Sequence, residues 1–129
     1  MSIRVVQLGS PRGAGEGLRL GTVRRPPRGV RKQDIAHRDY YDVWLPEIAP
    51  SAALVDAARS TETAEDWMRF TRRYRKELAA PAAQRLLDLL AALSHTADFA
   101  IGCYCRDESR CHRSVLREVL AERGARIVS

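Results

Sequence analysis

Residues 99–114, FAIGCYCRDESRCHRS, restrict the fold more than any other stretch of the chain. Phe99–Cys105 is a short, continuous apolar run, as expected of a strand covered on both faces. Arg106–Arg110 interrupts it with charge. From about Ser109 the apolar spacing becomes helical: Val115, Val119 and Arg123 share one face, and Leu116 and Leu120 share its neighbour. Ser109 or Asp107 is the expected N-cap, Gly124 suits a left-handed C-terminal cap, and the helix begins near Cys111–Ser114. Arg126–Val128 then reads as a last short strand. Strand, helix and strand in that order imply a right-handed crossover and parallel pairing. A chain ending in such a unit is α/β. Ligands of such sheets bind beyond the carboxyl ends of strands, where the Cys105–Ser114 loop falls.

The preceding residues supply the other elements. Ile3–Leu8 is a β-branched, alternating first strand and Leu18–Val23 a second. Between them, Gly9–Gly17 holds four glycines and Pro11, does not match G-x-G-x-x-G, and reads as a mobile loop. Pro26 and Pro27 forbid a ladder or helix interior and hold Arg24, Arg25 and Arg28 on a stiff, extended segment. Arg38–Trp44 is a short strand or ordered loop whose tyrosines and tryptophan suit core packing, with ring stacking as the alternative. After a turn at Leu45–Pro50, Ser51 caps a short helix to about Ala58. Thr63–Asp66 resembles a capping box, and Trp67, Phe70, Tyr74 and Leu78 then form one buried stripe. The opposite face carries Arg69, Arg72, Arg73, Arg75 and Lys76, with Glu77 placed to pair with Arg73. This face is a solvated surface or a homodimer contact. Pro81 opens a further helix with Leu86, Leu87, Leu90 and Leu93 on its apolar side, ending near His95. The expected class is α/β: a single three-layer-like domain over residues 1–129, its small mixed or mostly parallel sheet flanked by about four helices.

Composition narrows the function classes. With 45% hydrophobic residues the chain is globular rather than disordered. It lacks an apolar run of membrane-spanning length, and Met1–Arg4 shows no signal-peptide pattern, so a cytoplasmic protein without a membrane partner is expected. Three cysteines within nine residues do not make a secreted disulfide framework. The net charge of +6 is uneven, because residues 1–38 hold eight arginines and one lysine against two acidic residues. That points to an anionic partner: a small molecule, or nucleic acid bound through the basic N-terminal third. Arginine outnumbers lysine twenty to two, so part of the excess is a compositional habit. No particular cofactor is indicated.

Three chemistries fit the central stretch. An anion pocket would use His112, Arg113, Ser114 and the helix amides, with Arg24 and Arg28 approaching from the early loop. A cysteine nucleophile would be Cys111 or Cys105, with His112 as base, in a hydrolase or transferase. Cys103, Cys105, Cys111 and His112 also carry zinc-type donors, but C-x-C followed by an adjacent C-H lacks the paired C-x-x-C knuckles of structural zinc sites. No metal is therefore assigned. A phosphatase loop does not start at Cys103 or Cys105, which meet Ser109 and Cys111 where its arginine belongs.

Four segments carry a family resemblance. Arg24, Pro27, Arg28 and Gly29 match a pattern like R-x-x-P-R-G. Trp44-Leu45 with Glu47–Ser51 is similar to W-L-x-E-L-A-P-S. Trp67, Phe70, Tyr74, Glu77 and Leu78 match W-x-x-F-x-x-x-Y-x-x-E-L, and within Cys105–Leu120 the run C-H-R-S-V-L looks like a cysteine-containing branch of the wider family, where other members often carry H-N in place of C-H-R. In order and spacing the chain resembles the YeaO-like family, a domain of unknown function (DUF 488). Val23 stands where that family usually has an acidic residue, and Pro26 where it has tryptophan. The resemblance implies an α/β sandwich-like fold and no established activity.

Overall fold

The computed structural model describes residues 1–128. β1 (Ile3–Gln7), β2 (Leu18–Gly21), β3 (Val43–Trp44) and β4 (Phe99–Cys103) form one sheet in the order β1-β4-β2-β3, with every pair parallel. β4 is buried along its whole length between β1 and β2, which is why its sequence shows no alternation. β2 ends at Gly21, short of Val23, where the Thr22 amide and hydroxyl both turn onto the Gly102 carbonyl. The expected last strand is reduced to one parallel bridge, Ile3 to Ile127.

The helices are α1 (Ala52–Ala58), α2 (Ala64–Leu78), α3 (Pro81–Leu93) and α4 (His112–Glu122). Their starts follow the sequence where a small polar cap was available. The Ser51 hydroxyl accepts from the Leu54 amide, and Thr63 and Asp66 form a reciprocal capping box. α4 differs. Its N-cap is Cys111, while Asp107 caps a separate 3-10 turn at Glu108–Arg110. All four helices contribute to one apolar layer on the sheet face that presents Leu20, Phe99 and Ile101. Leu54, Phe70, Tyr74, Leu78, Leu87, Leu90, Val115, Leu116, Val119 and Leu120 fill it. Leu93 stays exposed, and the small Ala83 and Ala91 complete the buried side of α3. Full burial of each large apolar side chain contributes about 1.5–3 kcal/mol. Gly124 takes a positive φ directly after α4, where a Cβ would be strained. No helix among the described residues is long and apolar enough to cross a membrane.

The opposite sheet face carries loops instead of helices. Gly21 and Gly102 are register partners there. A Cβ on Gly21 would lie 2.4 Å from the Tyr41 ring, and one on Gly102 2.5 Å from Leu8, so both glycines let those side chains lie against the backbone. Arg19 projects from the same face and is only 1% exposed. Its guanidinium meets Glu16 at 2.6 Å and donates to the carbonyls of Ser10 (2.8 Å), Asp39 (2.6 Å) and Pro11 (3.2 Å). Arg12 ties the same loop to Asp39 and Asp42. The Gly9–Gly17 segment, expected to be mobile from its glycine content, is thus braced by a buried cation.

Replacing Arg19 with Met leaves Glu16 buried without its partner and should cost about 3–5 kcal/mol in urea unfolding at neutral pH. Burial raises the Glu16 pKa, but Arg19 and the Gly13 amide outweigh it, so the carboxyl sits below its ordinary value. The wild-type contribution is therefore complete above the unfolded pKa and is lost as pH falls through the folded one. The gap between wild type and Arg19→Met should narrow in acid; a gap independent of pH would refute this account.

Candidate functional site

The frame of the site is built by side chains that bond one chain segment to another. The Arg24 guanidinium donates to the carbonyls of Pro46 (3.1 Å), Ala49 (3.1 Å) and Pro50 (3.0 Å). The Trp44 indole donates to the Val23 carbonyl at 2.7 Å. The buried Tyr74 hydroxyl donates to the Ile48 carbonyl. Glu77 accepts from the Ser51 amide (2.8 Å) and hydroxyl (2.6 Å), rather than pairing with Arg73 as its spacing suggested. Two donors fixed at a helix cap outcompete one mobile arginine on a wet face. His112 closes the set. Its Nε2–H donates to the Thr22 carbonyl at 2.5 Å, and its ring stands edge-on to Tyr74 with centroids 5.7 Å apart.

The thiols collect where β4 ends and α4 begins. Cys103 and Cys111 are buried, and Cys105 is exposed. Cys103 Sγ lies 3.8 Å from Cys105 Sγ, and Cys111 Sγ lies 3.9 Å from His112 Nδ1. A carbonyl only accepts, so Nε2 carries the neutral ring's proton and Nδ1 presents its lone pair toward the thiols. The hydrogen bond from Cys103, then that from Cys111, pulls the Cys105 thiol down to about 3, with Arg113 adding to the effect. The Cys103 thiol is pushed up, chiefly because its proton is held between the other two sulfurs, and Cys111 is lowered by its bond to Cys103. Arg113 is 3% exposed, and its Nη2 donates to the Cys105 carbonyl at 2.6 Å. Its Nε is the one buried side-chain polar atom without a partner among the described residues. The Ser114 hydroxyl turns back onto the Cys111 carbonyl at 2.9 Å.

The structure therefore unites Cys105, Cys111, His112 and Arg113 but separates Arg24 and Arg28 from them. Arg24 holds the 46–50 segment. Arg28 lines an open groove of about 490 Å³ together with Pro27, Tyr40, Gln7–Ser10 after β1, and Tyr104 and Arg106 after β4. β1 and β4 are neighbours whose continuations diverge. The chain after β1 crosses the glycine face, while the chain after β4 enters α4 on the helical face. The groove thus opens at the topological switch point of a parallel sheet, the general ligand position in such folds. Tyr40 and Tyr104 meet edge to face there, 6.1 Å apart. Sequence reasoning missed Gln7, Ser10, Tyr104 and Arg106, because no linear motif joins residues brought together by strand order, and it gave the Tyr40 ring a stacking role only as the alternative to core packing. It also passed over the six-residue offset from Cys111 to Arg117. That offset makes no phosphate loop, since His112–Glu122 is helical and Arg117 pairs with Glu108 at 2.6 Å.

Much of the N-terminal positive charge is engaged within the chain. Arg4, Arg12, Arg19, Arg24 and Arg31 all donate to carbonyls or carboxylates, whereas Arg25, Arg28 and Arg38 are exposed. That leaves a narrower cationic surface than the raw count of basic residues suggests.

Sheet order defines a small parallel α/β protein, with the groove and the adjoining thiol cluster as two chemically distinct candidate sites at one end. The chain belongs to the DUF488 family: the family model described as the active DUF488-N3 subclade matches residues 3–124. No curated protein and no solved structure matches it.

Tyr74→Phe removes only the hydroxyl of a fully buried ring and leaves the Ile48 carbonyl without that donor. Unfolding free energy should drop by about 1–3 kcal/mol, measured by chemical denaturation. An unchanged midpoint would show that the hydroxyl does not hold the 46–50 segment to α2.

Proposed function

We propose that the chain binds a phosphate-bearing small molecule with a planar ring in the switch-point groove. The observation that carries this reading is the convergence of Arg28 and Arg106 on that groove, at the carboxyl ends of β1 and β4. Guanidinium groups suit phosphate because their planar fork donates two parallel bonds. Both are exposed in the free protein, so an anion gains their charge without displacing an internal partner. Tyr40 and Tyr104 add aromatic surface on which a ring can rest. The Gly9 and Ser10 backbone lets a ligand approach closely, and Arg19 keeps it rigid from beneath. The matched family model is described as an active subclade, which supports a chemical role for the protein.

A thermal-shift series with pyrophosphate, adenosine monophosphate, adenosine and a mixed single-stranded oligonucleotide tests the reading. The monophosphate should raise the melting temperature, corresponding to about 2.7 kcal/mol at a hundredfold excess over its dissociation constant. Adenosine alone should not. Arg28→Ala and Arg106→Ala, both surface changes, should each weaken binding about tenfold or more, the value of one charge-assisted bond. Absence of a shift with every anion, or a shift indifferent to both substitutions, would overturn the proposal. A response to the oligonucleotide alone would assign the groove to nucleic acid instead.

A further inference from the structure

We propose that Cys103, Cys111 and His112 form a binding site for a thiophilic divalent cation of the zinc type, with Cys105 as the fourth, solvent-facing ligand. The donor atoms of the three buried residues all lie within 4.8 Å of one another. A tetrahedral ion with zinc–sulfur bonds of about 2.3 Å sets neighbouring sulfurs about 3.8 Å apart. Cys103 and Cys105 stand at 3.8 Å, and Cys111 Sγ and His112 Nδ1 at 3.9 Å. Two edges of the coordination polyhedron are thus already near their ligated lengths, and Cys105 adjoins the buried trio through Cys103.

The imidazole has the orientation that ligation demands. Its Nε2–H is fixed by the Thr22 carbonyl, which leaves Nδ1 as the donor toward Cys111. A ligating histidine held through its far nitrogen by a carbonyl has both tautomer and ring plane set in advance. Tyr74 packs edge-on against that ring and limits its rotation. Charge is also compensated. Three thiolates with one divalent ion leave a net negative site, and the buried Arg113 guanidinium sits on the Cys105 carbonyl beside it. Sulfur and imidazole donors select zinc-like ions over magnesium or calcium, which require oxygen. The ligands come from the end of β4, the turn after it and the start of α4, so strand and helix hold most of them rigidly. In the sequence the same four residues carry zinc-type donors but lack the paired-knuckle spacing, because the fold, and not a paired knuckle, closes this site.

The test uses the full chain, reduced and stripped with EDTA. Titration with Co²⁺ should give one equivalent of a tetrahedral spectrum with sulfur-to-cobalt charge transfer, displaced by Zn²⁺. Zn²⁺ should protect the thiols from a chromogenic disulfide reagent, and EDTA should restore their reactivity. Cys111→Ser should weaken Zn²⁺ by more than about a hundredfold, exceeding the loss typical of a residue that only supports a ligand. Because Cys111 is buried, the exposed Cys105→Ser provides the second variant. It should keep the fold and diminish the charge-transfer band. A wild-type protein with no tetrahedral Co²⁺ spectrum, and thiol modification rates equal with and without Zn²⁺, would overturn the site and leave Cys105 as a free nucleophile. Adenosine monophosphate binding to the EDTA-treated protein is read separately, so the groove and the metal site stand or fall independently.

Discussion

The buried guanidinium of Arg19 is the constraint on which the loop-covered half of the molecule depends. An arginine has five donors in a rigid fork, so every acceptor it meets has its position dictated. Here the acceptors are Glu16 and the carbonyls of Ser10, Pro11 and Asp39, drawn from two loops distant in sequence. Taking a cation out of water is costly, and a buried ion pair is weak evidence for stability by itself. Its contribution here is to geometry: one charge orders the segment after β1 and the segment before β3 over the same glycine face. The groove floor at Gly9 and Ser10 inherits its rigidity from that arrangement.

The helical half is organised differently. Apolar burial supplies the driving force, and a few directional bonds set the register between layers. Tyr74 and Glu77 attach α2 to the 46–51 segment, Arg24 attaches that segment to the chain after β2, and His112 attaches α4 to Thr22. The family-like motifs are mostly the residues making these ties. A motif of this kind preserves the relative placement of segments, and the sites at the sheet end follow from it. Arg24 illustrates the distinction. As an arginine between strand and prolines it suggested a ligand clamp, yet its guanidinium bonds three backbone carbonyls of its own chain.

The two sites share one end of the sheet because parallel strands all point their carboxyl ends the same way. After β1 the chain goes to one face and after β4 to the other, which opens a groove between them. The same turn after β4 carries Tyr104 and Arg106 into the groove, and Cys103 and Cys105 into the thiol cluster. A ligand in either candidate site would therefore contact the same short segment that shapes the other.

Local signals in the sequence determined the helices, where they start, and the buried central strand, and they marked Cys105–Ser114 as a candidate region for chemistry. Those features depend on periodicity, capping groups and apolar runs, which act over a few residues. Strand order, the pairing of Glu77 with Ser51, the bracing of the glycine loop by Arg19, and the meeting of Arg28 with Arg106 were decided only by the tertiary structure. Each depends on residues tens of positions apart, and whichever partner the fold brings within hydrogen-bond reach displaces the one that spacing favours. The cysteines show both levels at once. Their clustering is visible in the chain, but only the turn of β4 into α4 brings the sulfurs of Cys103 and Cys111 together with the His112 imidazole, with Cys105 Sγ beside Cys103.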